Sequence, residues 1–158
     1  MDLVAWNENL KREDDLLIGE LNLSFLGVTT KVEVCFIQKG SSPSPIQLET
    51  LNGYLNNSEA IHSVVAEAIY AEYRASLFSY RRAVGSWGEN PDELAPVISD
   101  IRELAPLLIY QTLFIQDSEG PGEFGMGFWS KWEQEHGLGV KFVGWELGQL
   151  DENSIHYQ

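Results

Sequence analysis

Near the end of the chain, residues 123–147 read E-F-G-M-G-F-W-S-K-W-E-Q-E-H-G-L-G-V-K-F-V-G-W-E-L. This stretch contains three of the five tryptophans and five of the fourteen glycines. Two runs that alternate large apolar with small or polar residues flank the turn signal His136-Gly137-Leu138-Gly139. Such alternation on both sides of a glycine-bearing turn is typical of a β-hairpin. We therefore predict a C-terminal hairpin with two packed faces.

The charges of this stretch favour one register, in which Glu135 and Gly139 close a three-residue loop. The cross-strand pairs are then Trp132 with Phe142, Glu133 with Lys141, and Trp129 with Trp145. One face carries Phe124, Met126, Phe128, Trp132, Val140 and Phe142, and the other carries Trp129, Val143, Trp145 and Leu147. Because both faces are apolar, we expect helices to cover one of them. The Trp129/Trp145 face is expected to meet a partner or a second copy.

The rest of the chain supplies a second hairpin and a helical layer. Alternation over residues 17–25 and 31–38, interrupted by Gly27, predicts an antiparallel N-terminal hairpin. Residues 45–54 and 58–82 follow a helical pattern, and the second has an apolar stripe at three- and four-residue spacing. The remaining predicted elements are a strand or apolar plug at 3–6, a helix start at Asn90-Pro91, a short helix at 97–104 and a strand at 107–116, buried on both faces in mid-sheet.

These elements define an α+β fold. An antiparallel sheet from the N-terminal hairpin and the C-terminal strands packs against one long helix and shorter helices. The hydrophobic fraction of 44% is that of a globular protein. Since 158 residues are about the length of one domain, we expect a single domain over 1–158 with a polar tail from about residue 149.

Acidity is the main feature of the composition. The formal net charge is -14, and residues 83–158 contain thirteen acidic but only three basic residues. A field of this sign repels nucleic acid and anionic membrane surfaces, so the expected partner is a basic protein. Cys35 is the single cysteine, and the N-terminus lacks the pattern of a signal peptide. We therefore expect a reducing, cytoplasmic location and a packing role for Cys35.

The candidate contact residues lie in the predicted hairpin. His136 is at the predicted turn, beside Glu133 and Glu135, where it is available to a partner or a ligand. A catalytic role would need a nucleophile or a second convergent group, and the sequence offers none. We therefore predict no catalytic residue.

Asp117, Glu119 and Glu123 offer oxygen ligands in a glycine-bearing loop. Their spacing matches no EF-hand loop, so they are only weak metal candidates and we predict no metal or cofactor. The G-x-G-x-x-G pattern at 120–125 leads into a strand rather than a helix, which argues against nucleotide binding.

Residues 132–140, W-E-Q-E-H-G-L-G-V, resemble the W-D-x-E-H-G-L-G-V signature of an uncharacterised bacterial family, a domain of unknown function. The preceding order is also similar, with an N-terminal strand pair, a segment at 47–54 and a long helix that ends near Tyr80-Arg81-Arg82. This chain has Glu133 where aspartate is usual and Ser130 where cysteine is common. By analogy, the resemblance implies a role like that of immunity or accessory proteins encoded beside secreted toxins.

We therefore expect a non-enzymatic protein-binding domain that recognises a basic partner. The candidate contact residues are Trp129, Trp145, Glu133, Glu135 and His136. One alternative is an enzyme domain that binds a metal or a small molecule at the His136 turn. Another is a structural homo-oligomer, such as a homodimer formed through the Trp129/Trp145 face.

Overall fold

A seven-stranded sheet is the framework of the protein in a computed structural model, which describes residues 3–151 apart from the side chains of Gln149 and Asp151. In spatial order the strands are β1 Lys11–Glu13, β2 Leu16–Phe25, β3 Val28–Ile37, β4 Leu108–Ile115, β5 Phe124–Ser130, β6 Glu133–Val143 and β7 Glu146–Asp151. Neighbouring strands are antiparallel, except for the parallel pair β3 and β4. The α+β prediction, with a sheet built from both ends of the chain, is confirmed.

The helical layer comes mainly from the chain between β3 and β4. The helices are α1 Leu3–Asn7, α2 Pro45–Asn56, α3 Ser58–Ala75, α4 Leu77–Ser86, α5 Pro91–Leu94 and a 3-10 helix, Ile101–Leu107. Parallel strands cannot be joined by a tight turn, so every helix after α1 belongs to one crossover connection. The crossover begins at a capping box, in which Ser44 and Gln47 satisfy each other's backbone N–H groups.

The predicted long helix at 58–82 is two helices, separated at Ser76. The Ser76 hydroxyl donates a hydrogen bond to Glu72 one turn earlier. The backbone hydrogen bonds from Ser76 to Glu72 and from Tyr80 to Ser76 continue across the junction, so the two helices follow each other closely. The predicted helix at 97–104 is likewise displaced, because the observed 3-10 helix occupies Ile101–Leu107.

The N-terminal segment predicted as a strand or plug forms the short helix α1. Its Trp6 indole donates to the backbone oxygen of Glu20 at 3.0 Å. A β-carbon on Gly19 would lie 2.5 Å from the Trp6 ring, so the close approach of helix and strand requires glycine there.

The strand predicted in mid-sheet is β4, which is fourth of the seven strands. Its burial on both faces is not observed, because Ile109 is 42% exposed and Gln111 is also exposed. Tyr110, Leu113 and Ile115 point to the opposite side and are buried. Only the face toward the helices is therefore fully packed.

The C-terminal strands form a three-stranded meander rather than one hairpin. Lys131-Trp132 is the turn between β5 and β6, where Ser130 pairs with Glu133. The predicted register is therefore wrong, including the pairing of Trp129 with Trp145. Gly144-Trp145 forms a second two-residue turn, with φ of 57° and 68°, the positive values required by a tight hairpin of this kind.

The predicted core face of this region is nevertheless confirmed. Its members are all buried: Phe124, Met126, Phe128, Trp132, Val140 and Phe142. The predicted polar tail begins too early, since β7 pairs with β6 as far as Asp151. Residues 152–158 of that tail lie outside the described residues. Within residues 3–151, the helices are all too short or too polar to cross a bilayer.

Candidate functional site

A bulge in β6 carries the residues that the sequence placed at a hairpin turn. Residues 134–137 lie opposite the single residue Trp129, because the register between β5 and β6 shifts there. Gly137 has φ of 68°, a conformation that glycine adopts most easily in a bulge. His136 is therefore in a bulge within a strand, and its placement at the turn was wrong.

A cavity of about 200 Å³ lies beside this bulge. Its lining comes from Glu72 and Tyr80 of the helices, Trp132 and Glu133 of the β5–β6 turn, and Gly137, Leu138 and Leu150 of the strands. The Trp132 ring centroid is 4.6 Å from that of Tyr73 and 5.8 Å from that of Tyr80. The β5–β6 turn thus packs against α3 and α4 through the aromatic rings of Trp132, Tyr73 and Tyr80.

Glu72 is held in the cavity by two hydroxyl groups. The Ser76 hydroxyl donates to Glu72 at 2.8 Å, and the Tyr80 hydroxyl donates to the other carboxylate oxygen. These residues follow one another at four-residue spacing and so share one face of the helical segment. Burial, and next the bond to Glu72, raise the pKa of the Tyr80 phenol. Tyr80 therefore remains a neutral donor to Glu72.

The sequence-predicted Glu133 and His136 are brought together. The His136 Nδ1 lies 3.4 Å from a Glu133 oxygen, and the His136 backbone N–H donates to the same oxygen at 3.3 Å. Glu133 also lines the cavity, whereas Glu135 points to solvent from the bulge. The two carboxylates Glu72 and Glu133, with the rings of Tyr80 and Trp132, form a set suited to receiving a positive charge.

The two tryptophans predicted to share a face do not meet. Trp129 alternates with the buried Phe128 and so lies on the sheet face away from the helices, half-buried and opposite Ile109. Trp145 packs on the helix side, where its ring centroid is 5.9 Å from that of Phe124. A single apolar face shared by the two tryptophans is therefore wrong.

The loop carboxylates named as weak metal candidates have separate surroundings. Asp117 accepts hydrogen bonds from Ser44 at 2.7 Å and from Gln38 at 3.2 Å, so it braces the start of α2. Glu123 is 4.0 Å from the Lys141 ammonium, and Glu119 is exposed. Across the described part of the chain, no three His, Cys, Asp or Glu side chains are grouped to hold a metal ion.

Sequence reasoning missed a buried polar network behind the sheet. His62 Nδ1 donates to the backbone oxygen of Ser24 at 2.8 Å, which leaves Nε2 to accept from the Tyr54 hydroxyl. The Tyr110 and Tyr54 hydroxyl oxygens are 2.9 Å apart. Burial lowers the pKa of His62. The network therefore ties α2 and α3 to β2 and β4 with a neutral imidazole.

Cys35 is buried, with 2% of its surface exposed. Burial, assisted by the charges of Glu33 and Glu13, raises its pKa to about 12. The side chain is therefore a thiol rather than a reactive thiolate, as its expected packing role requires.

Glu72 and Tyr80 were also missed as site residues, although their spacing contained a signal. The pattern Glu72-x-x-x-Ser76-x-x-x-Tyr80 places one acceptor and two donors on one helical face. Tyr80 also fits the helical period of the apolar stripe in residues 58–82, which by itself predicts packing rather than a site role. Only the tertiary structure shows that the β5–β6 turn closes over this face.

The protein is thus an acidic α+β protein built on one sheet whose strands follow chain order. The family model for a domain of unknown function, DUF6985, matches residues 6–157, nearly the whole chain. The protein belongs to that family. Neither the curated proteins nor the solved structures contain a match to the chain.

Proposed function

We propose that this protein is a non-enzymatic binding domain that recognises a basic protein, in the way an immunity protein recognises a toxin. The proposal is supported by the distribution of charge on the surface. Between residues 83 and 150, the exposed carboxylates are those of Glu89, Asp92, Glu93, Glu103, Asp117, Glu119, Glu135 and Glu146. Arg102, the one exposed cation in that range, is already paired with Asp100 at 3.0 Å.

The excess of exposed carboxylates attracts a basic partner before the two proteins touch. At physiological ionic strength, charges are felt over a screening length of about 8 Å, which steers a basic partner toward the surface. Exposed charges mainly increase the rate of association and the selectivity, while buried contacts determine how long the complex lasts. The same field opposes binding to phosphate backbones, so nucleic acid is excluded from the proposal.

The test is capture on the immobilised full-length protein from native lysate, with stepwise salt elution and identification of the bound proteins. A purified partner is then studied by association kinetics at low and high salt. We expect a partner of net positive charge whose association rate falls about tenfold or more as salt is raised. A neutral or acidic partner, or association that does not depend on salt, contradicts the proposal.

Matched variants localise the effect. Glu119→Gln with Glu135→Gln removes two exposed charges from the C-terminal half, whereas Glu49→Gln with Glu59→Gln removes two exposed charges from the helices. The net charge changes equally in both. Slower association in the first pair alone supports the C-terminal surface as the docking region, and equal effects contradict it.

A homodimer is the second candidate, because Ile109 is 42% exposed opposite Trp129 on the outer sheet face. Exposed apolar side chains of this kind are common at self-association surfaces. Sedimentation velocity over a concentration series decides between the two. A single 17.8 kDa species at every concentration contradicts the homodimer.

A further inference from the structure

The cavity beside the β6 bulge combines two kinds of chemistry on opposing elements. The helices supply Glu72 and Tyr80, and the β5–β6 turn supplies Trp132 and Glu133. Its volume of about 200 Å³ is smaller than the ~300–1,000 Å³ of typical small-molecule pockets. It is therefore sized for one side chain rather than for a drug-sized ligand.

Among the residues that the structure describes, the hydrogen bonds to Glu72 leave part of its acceptor capacity unfilled. A carboxylate offers roughly four acceptor sites, and the hydroxyls of Ser76 and Tyr80 occupy two of them. In the described range, no lysine, arginine or histidine forms an ion pair with Glu72. A half-buried carboxylate with only neutral donors has lost part of its hydration without gaining a counter-charge. A cation that entered the cavity would supply the missing counter-charge to Glu72.

The rings of Tyr80 and Trp132 determine which kind of cation the cavity binds best. A guanidinium group is planar, stacks on aromatic faces and makes two parallel hydrogen bonds to a carboxylate, whereas an ammonium group is a compact, strongly hydrated point charge. Tyr80 and Trp132 offer rings within 5.8 Å of each other, next to two carboxylates. A metal ion would need more ligands than the two carboxylates provide. The combination therefore favours guanidinium over ammonium or a metal.

We propose that this cavity receives one arginine side chain of the partner, whose guanidinium lies against the rings of Tyr80 and Trp132 and pairs with Glu72 and Glu133. This inference rests on the proposed function, since it names the partner group that the acidic surface delivers. The exposed carboxylates attract the partner to the surface. The cavity then determines how the partner is positioned, because it accepts one of the partner's side chains.

The first test uses single-residue probes on the whole protein. N-acetyl-arginine-N-methylamide and its citrulline counterpart differ in charge but scarcely in shape. Nuclear magnetic resonance follows the Trp132 indole N–H, assigned by its loss in Trp132→Phe. We expect saturable shifts with the arginine probe, with a dissociation constant of about 1 mM, and binding at least about tenfold weaker with citrulline. Equal shifts with both probes, or none with arginine, overturn the inference.

The second test separates the cavity from general acidity. Glu72→Gln removes one charge inside the cavity, and Glu67→Gln removes one exposed charge from the same helix, α3. We expect only Glu72→Gln to weaken the arginine probe, by about tenfold. Tyr80→Phe keeps the ring and should retain most of the binding. Equal probe affinity in the two charge variants overturns the inference, and thermal melting confirms that both are folded.

The purified partner distinguishes this inference from the proposed function. If a basic partner binds with strong salt dependence but Glu72→Gln and Glu67→Gln dissociate from it equally fast, the arginine cavity is wrong and the acidic docking surface stands. If the arginine probe fills the cavity but no basic protein is captured, the partner is wrong and the guanidinium site stands. Faster dissociation of Glu72→Gln alone supports both.

Discussion

The N-terminal hairpin (β2 and β3) and the C-terminal meander (β5 to β7) are both made of alternating strands, but their turns lie in opposite environments. The hairpin turns at Leu26-Gly27, where a β-carbon on Gly27 would meet nothing within 4 Å. The meander turns first at Lys131-Trp132, where Trp132 is 2% exposed and packs on the helices. The first turn is a connection, whereas the second is part of the core.

Glycine consequently has different roles in the two regions. Gly27 supplies a positive φ of 79° in an open turn. In the meander, Gly137 supplies a bulge. Outside it, Gly53 of α2 and Gly122 just before β5 make room for the meander's Trp145, whose ring would lie 2.5 Å and 2.7 Å from β-carbons at those positions. The glycines that contact the meander therefore serve close packing, while its first turn needs none.

The buried turn of the meander should dominate stability. Trp132→Ala removes a ring that contacts Tyr73 and Tyr80, and we expect a loss of about 3–5 kcal/mol in the free energy of unfolding. Leu26→Ala, in the half-buried turn of the hairpin, should cost only about 1 kcal/mol. Chemical denaturation of both variants measures the contrast. Equal losses would show that the two turns do not differ in kind.

Two glycine substitutions should give a smaller difference in stability between the two regions, and one that traces to a single contact. Gly122→Ala and Gly27→Ala both place a side chain at positive φ, 98° and 79°, which costs about 1–2 kcal/mol each. At Gly122 the new β-carbon would also lie 2.6 Å from the backbone nitrogen of Trp145, which adds about 1–3 kcal/mol of overpacking. Denaturation of the pair should therefore show the larger loss for Gly122→Ala. Indistinguishable losses would mean that the Trp145 turn moves away freely.

The same contrast explains what the sequence could predict of the fold. In the hairpin, strict alternation ends at a glycine turn, so the strands, their faces and their antiparallel pairing all follow from residues 17–38. In the meander the inward face was also predicted correctly, because large apolar residues keep their alternation. The positions of the turns were not predicted correctly, because the glycines of a bulge and those of a turn look alike in sequence.

The site was harder to predict, since it depends on contacts between distant parts of the chain. Glu133, Glu135 and His136 were predicted as contact residues because they are close in sequence, whereas Trp132 was predicted only as a member of the buried face. Glu72 and Tyr80 are about fifty to sixty residues earlier, and they join the group only because the meander turns at Trp132 and packs that turn against α3 and α4. No local sequence pattern predicts that these distant residues come together.

His62 makes the attachment of the N-terminal hairpin to the helices dependent on pH. It joins α3 to the end of β2 through Ser24, and burial lowers its pKa. The unfolded chain, with an ordinary histidine pKa of about 6.5, therefore takes up this proton more readily than the folded protein. The His62 contribution is present above that pKa and is lost as pH falls through it. Urea unfolding from pH 7.5 to 5 should show a steeper loss for the wild-type protein than for His62→Gln, and parallel curves would contradict the assignment.

Divalent cations should have the smallest effect, and the candidate ligands for them lie in the β4–β5 loop and in the β6 bulge. The carboxylates of Asp117 and Glu123 already have partners in the protein, and Glu133 contacts His136. Because the net charge is -14, any added salt relieves self-repulsion and can raise the melting temperature. Calcium, magnesium or zinc should therefore shift the melting temperature by no more than about 1 °C relative to sodium chloride of equal ionic strength. A larger, saturable shift would reveal a metal site, and its loss in Asp117→Asn or in His136→Ala would assign that site to the loop or to the bulge.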